Sequence, residues 1–339
     1  MRAYEIEGAF GLDHLRQVER SEPGTPPPGQ VLLEMRAVSL NYRDLMTVEG
    51  AYNPKQPLPL IPCSDGVGRV LAVGEGVRRV AVGDRVLPIF AQGWIAGEPT
   101  RERLRSTLGG PLDGTLRERM LVSAEGVVHA PEYLSDEEAA TLPCAAVTAW
   151  SALVTDGGLT GGQTVLTLGT GGVSIFALQI ATALGARVIV TSSSDDKLAR
   201  ARELGAWHGI NYRTDPDWGK TARELTGGRG VDLVVEVGGG ETLGQSLAAV
   251  RMGGKIALIG VLSGGATELQ VGRVLMNRVG IQGILVGDRE RFEAMNRALA
   301  ATGLSPVVDR VFPFDDTRAA FEHMAAGNHF GTIVVRTAS

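Results

Sequence analysis

The feature that most constrains this chain is the stretch 164–197, where the spacing of apolar residues changes twice. Residues 165–168 form an apolar run of strand length, and glycines follow at positions 169, 171 and 172. Apolar residues then recur at helical spacing through 173–184, and a second apolar run occupies 187–191. Strand, glycine turn, helix and strand in this order predict a βαβ unit of a parallel sheet.

The glycine turn of this unit predicts a dinucleotide site, because backbone N–H groups without side chains can approach a pyrophosphate at a helix N-terminus. The fingerprint is imperfect, since Ser174 stands where a third glycine is expected. That position serves close packing of helix on strand, and serine is small enough for it. A glycine turn without a ligand is the competing interpretation, which the flanking strands and helix disfavour. The expected cofactor contacts are Gly169, Thr170, Gly171, Gly172 and Val173.

The end of the second strand indicates which dinucleotide is bound. An NAD enzyme carries Asp or Glu there, about 20 residues after the glycines, to hold the ribose 2′-hydroxyl. This chain has Thr191 followed by three serines, and Lys197 comes one helical turn later. Hydroxyls do not repel a 2′-phosphate and a lysine attracts it, although Asp195 and Asp196 argue the other way and Lys197 taken alone is an ordinary helix lysine. The sequence favours NADP(H) over NAD(H), with contacts from Ser192, Ser193 and Lys197.

The rest of the chain divides into two kinds of pattern. Strands and helices alternate after residue 135, which predicts a doubly wound parallel sheet with strands that include 231–237 and 280–286. Before it, glycine-punctuated strands predict a small curved β domain with a short helix in 41–52. A mixed tail predicts that the α/β domain is inserted in the β-rich one. The boundaries drawn are 1–125 for the first part of the β-rich domain, 126–268 for the cofactor domain, and 269–339 for the last strand and the return.

Composition excludes several classes of protein. The 339 residues are 44% hydrophobic, enough for a sizeable core, and the net charge of −5 disfavours general binding to nucleic acid or to a membrane surface. No apolar run approaches the roughly 20 residues that span a bilayer, and the first residues show no signal-peptide pattern. Two cysteines, Cys63 and Cys144, cannot form a disulfide framework, which is typical of a reducing compartment. We expect a soluble cytoplasmic protein.

With these elements placed, the chain resembles the medium-chain dehydrogenase/reductase superfamily over nearly its whole length. The resemblance rests on several segments in the right order, and its closest likeness is to the zinc-free, quinone-oxidoreductase-like branch, whose sequences are often labelled zinc-type alcohol dehydrogenase. It implies a GroES-like catalytic domain beside the Rossmann domain. The matching segments are Ile61-Pro62 with 65–68 (DGVG), 80–86 (VAVGDRV), 141–150 (TLPCAAVTAW), 169–173 (GTGGV) and 197–206 (KLARARELGA).

The residues at the metal positions of the superfamily argue against zinc. Zinc-dependent relatives carry a cysteine near Asn41, a His-Glu pair at Ser64-Asp65 and a Cys or Asp near Cys144. A catalytic zinc needs three protein ligands, and only Asp65 and Cys144 remain as donors here. The stretch 92–118, where the relatives' four-cysteine zinc lobe would lie, contains no cysteine. We therefore predict that no zinc is bound.

Chemistry without a metal depends on hydrogen bonds to the substrate, while the cofactor supplies the hydride. This suits conjugate reduction of a quinone or an α,β-unsaturated carbonyl, in which charge spreads over an enolate. The resemblance places Asn41, Tyr42, Asp44 and Tyr52 at the substrate, with the Asn41 amide or a tyrosine hydroxyl as donor. The alternatives are that Asn41 only caps the following helix, that Asp44 pairs with Arg43 or nearby backbone, and that the tyrosines only pack.

The resemblance also implies cofactor contacts outside the glycine turn and an oligomeric state. Strand 280–286 would lie at the sheet edge, where a second copy covers its unpaired backbone groups, so a homodimer is expected. The implied cofactor contacts are Thr148, Tyr212, Gly238, Gly260, Val261, Leu285, Val286, Phe330 and Gly331.

Three functions remain open from the sequence. The first is an NADPH-dependent quinone or enone reductase. The second is a zinc-independent alcohol dehydrogenase or carbonyl reductase, in which hydride goes to the carbonyl carbon itself. The third is an NADPH-binding protein without turnover, against which Asn41 and Tyr52 are evidence because a pure binder does not need them.

Overall fold

The computed structural model describes residues 1–337, which divide into two compact units. The split unit joins residues 1–147 to the segment that begins at Gly287, and the inserted unit spans Thr148–Val286. These junctions lie downstream of the boundaries drawn from the sequence at 125 and 268. The first junction is later because residues 127–129 pair with strand 85–88 of the split unit. Among the described residues, no helix has the length and apolar character needed to cross a membrane.

The first part of the split unit is rich in antiparallel strands, as the glycine-punctuated pattern predicts. A hairpin at the N-terminus pairs Arg2 with Glu19 and Ile6 with Leu15. The strand that follows has eleven residues, of which those from Gln30 to Ala37 alternate between a more open and a buried face and the last four are all buried. The elements are β1 Arg2–Ile6, β2 Leu15–Glu19, β3 Gln30–Leu40, α1 Tyr42–Val48, β4 Asp65–Val73, β5 Arg85–Pro88, α2 Arg101–Leu104, β6 Arg119–Ser123, β7 Val127–His129 and α3 Asp136–Ala139.

A helical run after α3 has unusually wide turns. The acidic start is as expected, since Ser135 caps α3 and accepts a hydrogen bond from the Glu138 N–H. Beyond it, Leu142–Ala146 and Ser151–Thr155 form π-type turns on either side of α4 Val147–Trp150. Pro143 has no N–H to donate, which disrupts the regular ladder at this point. The run is helical as the sequence predicts, but it is not one regular helix.

The inserted unit is a six-stranded parallel sheet with the strand order β10-β9-β8-β11-β12-β13. This is the doubly wound arrangement, in which the order reverses between β8 and β11. The elements are β8 Thr164–Leu168, α5 Gly172–Ala183, β9 Arg187–Ser192, α6 Asp195–Glu203, β10 His208–Asn211, α7 Trp218–Leu225, β11 Val231–Glu236, α8 Leu243–Ala249, β12 Val250–Leu258, α9 Val271–Met276 and β13 Gly280–Gly283.

The last strand of the inserted unit is shorter than the sequence predicts. Pairing with β12 ends at Gly283, whereas the apolar pattern continues to Val286. Val286 has a φ of 55°, a left-handed conformation that a strand cannot contain and that a β-branched residue rarely adopts. The apolar run therefore leaves the sheet before it ends.

The chain then returns to the split unit and completes its sheet. The final strand pairs antiparallel with β3, with Val335 opposite Val38, and parallel with the strand before it. Together they give a seven-stranded sheet in the order β14-β15-β3-β4-β5-β7, with β6 also paired to β3. A buried cluster that includes Leu60, Phe321 and Ile333 packs beneath it. The elements are α10 Arg289–Thr302, β14 Val308–Pro313, α11 Thr317–Ala325 and β15 Thr332–Arg336.

Candidate active site

The corner between β3 and α1 carries the residues expected at the substrate. Asn41 is the N-cap of α1, and its backbone N–H donates to the Asp44 carboxylate over 2.8 Å. Asn41 and Asp44 thus form a capping box, in which each side chain pairs with the backbone of the other residue, and this explains why a helix begins here after a long strand. The Asn41 Nδ2 atom is buried, and among residues 1–337 it has no partner within hydrogen-bonding geometry. Asn41 therefore caps the helix, as the alternative interpretation holds, and keeps a side-chain donor unused.

Arg43 holds this corner together. Its guanidinium lies 3.1 Å from the Asp44 carboxylate and donates to the backbone oxygens of Leu108, Gly109 and Gly110 over 3.2 to 3.4 Å. It also lies over the Tyr52 ring, 4.8 Å from its centroid. Burial alone lowers the pKa of Arg43, but the adjacent Asp44 carboxylate reverses this and leaves it above its usual value. The guanidinium is a fixed positive charge in a nearly closed environment.

Two fully buried carboxyl groups lie in the same region, on Asp44 and Asp65. Asp65 accepts from the Ser64 hydroxyl over 2.6 Å and from the Cys144 backbone N–H over 2.8 Å. Burial raises the pKa of both groups, and for Asp65 it reaches about 7, with the nearby Asp44 charge adding to the rise. Arg43 opposes the rise at Asp44, and the amide of Asn41 lies near enough to both carboxyls to lower their pKa somewhat. The two acids therefore differ in their surroundings, since Asp44 has a cation beside it and Asp65 is held by neutral donors.

The two predicted tyrosines differ in their surroundings. Tyr52 follows α1, has half of its surface exposed, and stacks on Arg43. Tyr42 is the first residue of α1 and is exposed to a similar degree, and within residues 1–337 its hydroxyl makes no hydrogen bond. The structure thus brings Asn41, Asp44 and Tyr52 together around Arg43, while the Tyr42 hydroxyl forms no hydrogen bond with this group.

The sequence indicates Arg43 only as a partner of Asp44 and Asp65 only as a metal donor, and it predicts no role at this corner for the stretch 92–118. The glycine-rich end of that stretch packs tightly here. A Cβ atom on Gly114 would lie 2.0 Å from the carbonyl oxygen of Cys63, and one on Gly109 would lie 2.7 Å from it. Glycines at these positions were the available signal, since close backbone approach requires them.

The donor set at the superfamily's metal position does not suit zinc. Asp65 and Cys144 are neighbours through the backbone hydrogen bond described above, but Asn41 and Ser64 replace the other expected ligands. In the described part of the chain, no group of three or more His, Cys, Asp or Glu side chains is arranged to hold a metal ion. The Asp65 oxygens are already engaged by hydrogen-bond donors. The residues present therefore do not fit a catalytic zinc, which needs three ligands.

The predicted glycine turn lies between β8 and α5 in the inserted unit. Gly169 has a φ of 73°, the left-handed region that favours glycine, and a Cβ there would meet open space. Gly171 is the N-cap of the twelve-residue helix and has no side chain to satisfy its first turn. The N–H groups of Gly171, Gly172 and Val173 lie at the positive end of the helix, where an anion is favoured, whereas the Gly169 N–H donates to the Thr191 hydroxyl over 3.3 Å. The turn therefore fits a pyrophosphate.

Ser174 explains how the imperfect fingerprint works. Its hydroxyl is buried and donates to the carbonyl oxygen of Leu168 over 2.6 Å, so it ties α5 to the end of β8. A third glycine would allow the same close approach without this bond. The serine is thus compatible with the packing that the third glycine normally provides.

The residues expected around a 2′-phosphate follow β9. Ser192 ends this strand and is buried, and its hydroxyl accepts from the backbone N–H of Ser194 over 3.2 Å. Ser194 caps α6, and Lys197 lies in the first turn of that helix. Asp195 also lies in this turn, and its carboxylate accepts from the Asn211 amide over 2.9 Å. One of the two carboxylates that argued against NADP(H) is therefore engaged in holding β10 to α6.

The other predicted cofactor residues of the inserted unit lie where its strands end. Because the strands are parallel, their carboxyl ends meet at one edge, where open α/β sheets bind ligands. Leu285 is exposed there and Val286 has its left-handed backbone. The residues after the strand ends are Tyr212 after β10, Gly238 after β11, Gly260 and Val261 after β12, and Leu285 and Val286 after β13.

The three remaining predicted cofactor residues do not follow a strand of the inserted unit's sheet. Thr148 is the first residue of the inserted unit and is buried. Phe330 and Gly331 belong to the split unit, where the Phe330 ring is buried and its backbone N–H donates to Asp309 over 2.9 Å. Gly331 has a φ of 91°, and a Cβ atom there would lie 2.3 Å from the carbonyl oxygen of Val307. Their part in cofactor binding stays a prediction.

Two family descriptions match this chain. Residues 27–132 match the alcohol dehydrogenase GroES-like domain, and residues 172–301 match the zinc-binding dehydrogenase family. Both matches fall where the fold has the corresponding β-rich and parallel-sheet architecture. The word zinc in the second description refers to a metal for which this chain lacks the expected ligands.

Individual proteins resemble the chain over nearly its full length. A zinc-type alcohol dehydrogenase-like protein of Schizosaccharomyces pombe is 43% identical, with 96% of each chain covered. An acryloyl-coenzyme A reductase of Metallosphaera sedula is 28% identical, over 99% of this chain and 100% of that protein. A solved NAD-dependent alcohol dehydrogenase superposes with a TM-score of 0.90 at 32% identity and covers both chains completely.

The raised pKa of Asp65 predicts a measurable pH dependence of stability. The folded state keeps this proton up to about pH 7, whereas the unfolded chain releases it near pH 4. The folded state therefore binds more protons between these values, so this group lowers the free energy of unfolding as pH rises. In Asp65→Asn, the amide can still pair with Ser64 and the Cys144 N–H. The decrease in the free energy of unfolding between pH 4 and 8 should be smaller in this variant than in the wild type, by on the order of 3 kcal/mol. Urea unfolding across this pH range measures it.

Asp232→Asn is the matched control. Burial raises the pKa of Asp232, but hydrogen bonds from Arg229 and from the Thr164 N–H outweigh this and leave it below its usual value, so its titration lies below the window and the slope should not change. If Asp65→Asn keeps the wild-type slope, the Asp65 carboxyl is ionised throughout the range and the argument from burial is wrong.

Proposed function

The chain belongs to the medium-chain dehydrogenase/reductase superfamily and is an NAD(P)-dependent oxidoreductase, and we propose that it reduces a quinone or an α,β-unsaturated carbonyl with NADPH and without a metal ion. The observation that carries this proposal is the β3–α1 corner. It offers an unused amide donor on Asn41 and a fixed cation on Arg43, but not the three ligands of a zinc ion.

The residues of this corner suit an oxygen that gains negative charge. NADPH supplies the hydride when it is bound. The Asn41 Nδ2 atom makes no hydrogen bond of good geometry within residues 1–337, although the Asp44 and Asp65 carboxyls lie near it, so it can donate to a carbonyl oxygen of the substrate. The Tyr52 hydroxyl, on a ring held by Arg43, is the proposed proton donor, with Tyr42 as the alternative. An enolate or quinol oxygen spreads its charge over a conjugated system, so it demands less stabilisation than an alkoxide and hydrogen bonds of this kind suffice.

NADPH is proposed over NADH because of the residues that follow β9. The buried Ser192, the adjacent Ser193 and Lys197 offer hydroxyls and a cation where an NAD enzyme places a carboxylate. The solved structures that resemble this chain are divided, since one is named as an NAD-dependent alcohol dehydrogenase and another is a mycobacterial protein complexed with NADPH. The preference for NADPH therefore rests on the residues of this chain. The remaining cofactor contacts are proposed as expected from the sequence, including Thr148, Phe330 and Gly331.

A second candidate function is a zinc-independent alcohol dehydrogenase or carbonyl reductase. The names of the S. pombe relative and of the superposed structure favour it. The name of the M. sedula relative instead favours reduction of an activated alkene. The two functions differ in which carbon accepts hydride, and a comparison of substrates separates them.

We also propose that the protein is a cytoplasmic homodimer. β13 is an edge strand of the inserted unit's sheet, and Leu275 and Met276 on the preceding α9 each have 74% of their surface exposed. An edge strand beside exposed apolar side chains is a surface that a second copy would cover.

The proposed reaction predicts a defined substrate pattern for the purified protein. NADPH oxidation should be followed at 340 nm with a quinone, an enone and a simple aldehyde, each with and without a chelator. We expect turnover with the quinone or the enone, little with the aldehyde, and no effect of the chelator. Loss of activity on chelation would exclude the metal-free mechanism. Preference for the aldehyde would favour the carbonyl reductase, and no oxidation of NADPH or NADH with any acceptor would favour a non-catalytic binding protein.

The cofactor preference predicts a selective effect of Lys197→Ala. The KM for NADPH should rise about 5- to 20-fold, because a charge-assisted bond to the 2′-phosphate is lost, while the KM for NADH should stay within about twofold. Lys220→Ala, on the exposed surface of α7, is the control and should change neither value. Equal effects on both cofactors would show that Lys197 does not contact the 2′-phosphate.

The role of the Asn41 amide predicts the outcome of Asn41→Ser. Serine is as good an N-cap as asparagine, so α1 and the thermal stability should be preserved, but the side-chain N–H donor is lost. We expect kcat/KM to fall about 10- to 100-fold, as for other donors to a developing oxyanion. Asn53→Ser, in the exposed turn after α1, should retain wild-type kinetics. Wild-type activity in Asn41→Ser would assign Asn41 to helix capping alone.

A further inference from the structure

A buried acid lies at the carboxyl end of β11, a central strand of the inserted unit. Glu236 is the last residue of β11 and is completely inaccessible to solvent. One carboxylate oxygen accepts from the backbone N–H groups of Gly238 and Gly239 over 2.8 and 3.0 Å and from the Thr242 hydroxyl over 2.6 Å. The other accepts from the Ser246 hydroxyl. All four donors are uncharged, so they take the place of the water that a carboxylate loses on burial.

The turn that Glu236 holds is also fixed from its other side. Gly239 has a φ of 87°, and a Cβ atom there would lie 2.8 Å from the carbonyl oxygens of both Gly260 and Gly264. Ser263 donates its backbone N–H and its hydroxyl to the Gly238 oxygen over 2.7 and 2.9 Å. The loop after β11 therefore has no room for side chains and is shaped by the loop after β12 and by the carboxylate beneath it.

This turn lies at the point where the strand order reverses. β11 pairs with β8 on one side and with β12 on the other, and the glycine turn 169–172 follows β8. In doubly wound sheets, the ligand binds in the crevice outside the carboxyl ends of the two strands at this reversal. The backbone of Gly238–Gly240 therefore borders the crevice opposite the pyrophosphate turn.

We propose that Glu236 is a positioning residue for the dinucleotide, which it serves by holding the Gly238–Gly240 backbone in the conformation that the cofactor meets. The inference rests on the proposed function, since it requires that NADPH binds at this edge. Glu236 acts only through the turn and helix it anchors, because it has no exposed surface of its own.

Asp232 provides a comparison on the same strand. It is a second buried acid, at the opposite end of β11, and its carboxylate accepts from the Thr164 N–H over 2.8 Å and pairs with Arg229 and Arg251. The amino ends of the strands lie away from the ligand edge. Asp232 is thus equally integrated in the fold, but at the edge that does not bind the cofactor.

The test compares Glu236→Gln, Thr242→Val and Asp232→Asn in the full-length protein by NADPH titration and by thermal unfolding. In Glu236→Gln, a neutral amide with one acceptor oxygen replaces a carboxylate with four donors, so the Kd for NADPH should rise at least about fivefold. Thr242→Val removes a single donor to the same oxygen and should raise the Kd about two- to threefold. Asp232→Asn should lower the melting temperature and leave the Kd within about twofold of wild type.

Each result bears on the inference. A wild-type Kd in Glu236→Gln would overturn it, and so would an equal rise in Asp232→Asn, since both variants would then act through general destabilisation. If Glu236→Gln does not fold, Thr242→Val decides by the same Kd measurement. If titration shows that the wild-type protein binds neither NADPH nor NADH, the proposed function itself is wrong. The wild-type titration therefore distinguishes failure of the proposed function from failure of the inference about Glu236.

Discussion

The parallel direction of all six strands in the inserted unit is the constraint on which the proposed cofactor site depends. Parallel strands need a crossover connection after each strand. The loop that follows each strand therefore begins at the same edge of the sheet, the carboxyl edge. Gly169 and Gly260, although distant in sequence, therefore follow their strands at the same edge. A glycine turn on an isolated hairpin would have no such neighbours, and this convergence is what makes the turn a site.

A different constraint organises the corner around α1 in the split unit. Here charged groups are buried, and burial of a charge is tolerated only when partners replace its hydration. Asp44 obtains a backbone N–H and Arg43, and Arg43 obtains three carbonyl oxygens and two aromatic faces, those of Tyr52 and Phe90. Each group in the corner is thus fixed by its own electrostatic requirement. Two buried donor atoms of the corner, Asn41 Nδ2 and Arg43 Nε, make no hydrogen bond within residues 1–337. An unsatisfied donor is costly in a protein interior unless a ligand accepts from it.

Local features of both regions could be predicted from the sequence, because they depend on neighbours in the chain. The helix entered at Asn41 and the βαβ unit follow from capping and periodicity, and Ser174 was expected to be tolerated by its size. The pairing of Asp44 with Arg43 was one of the alternatives considered, but the burial of Arg43 and Asp65 could not be predicted, because it depends on residues 109–114, which are remote in sequence. The end of β13 was missed for a related reason, since apolar composition continues to Val286 while its backbone conformation does not.

The two buried acids of β11 show why burial and charge alone do not identify a functional residue. Asp232 and Glu236 lie four residues apart on one strand, and both are buried with their hydrogen-bonding capacity well satisfied. Asp232 is neutralised by two arginines, which is effective where no anionic ligand binds. A cation beside Glu236 would instead add a fixed charge next to the loops at the ligand edge. Neutral N–H and hydroxyl donors compensate the carboxylate without doing so, and they orient the turn backbone at the same time. The difference in partners therefore follows from the edge of the sheet at which each acid lies.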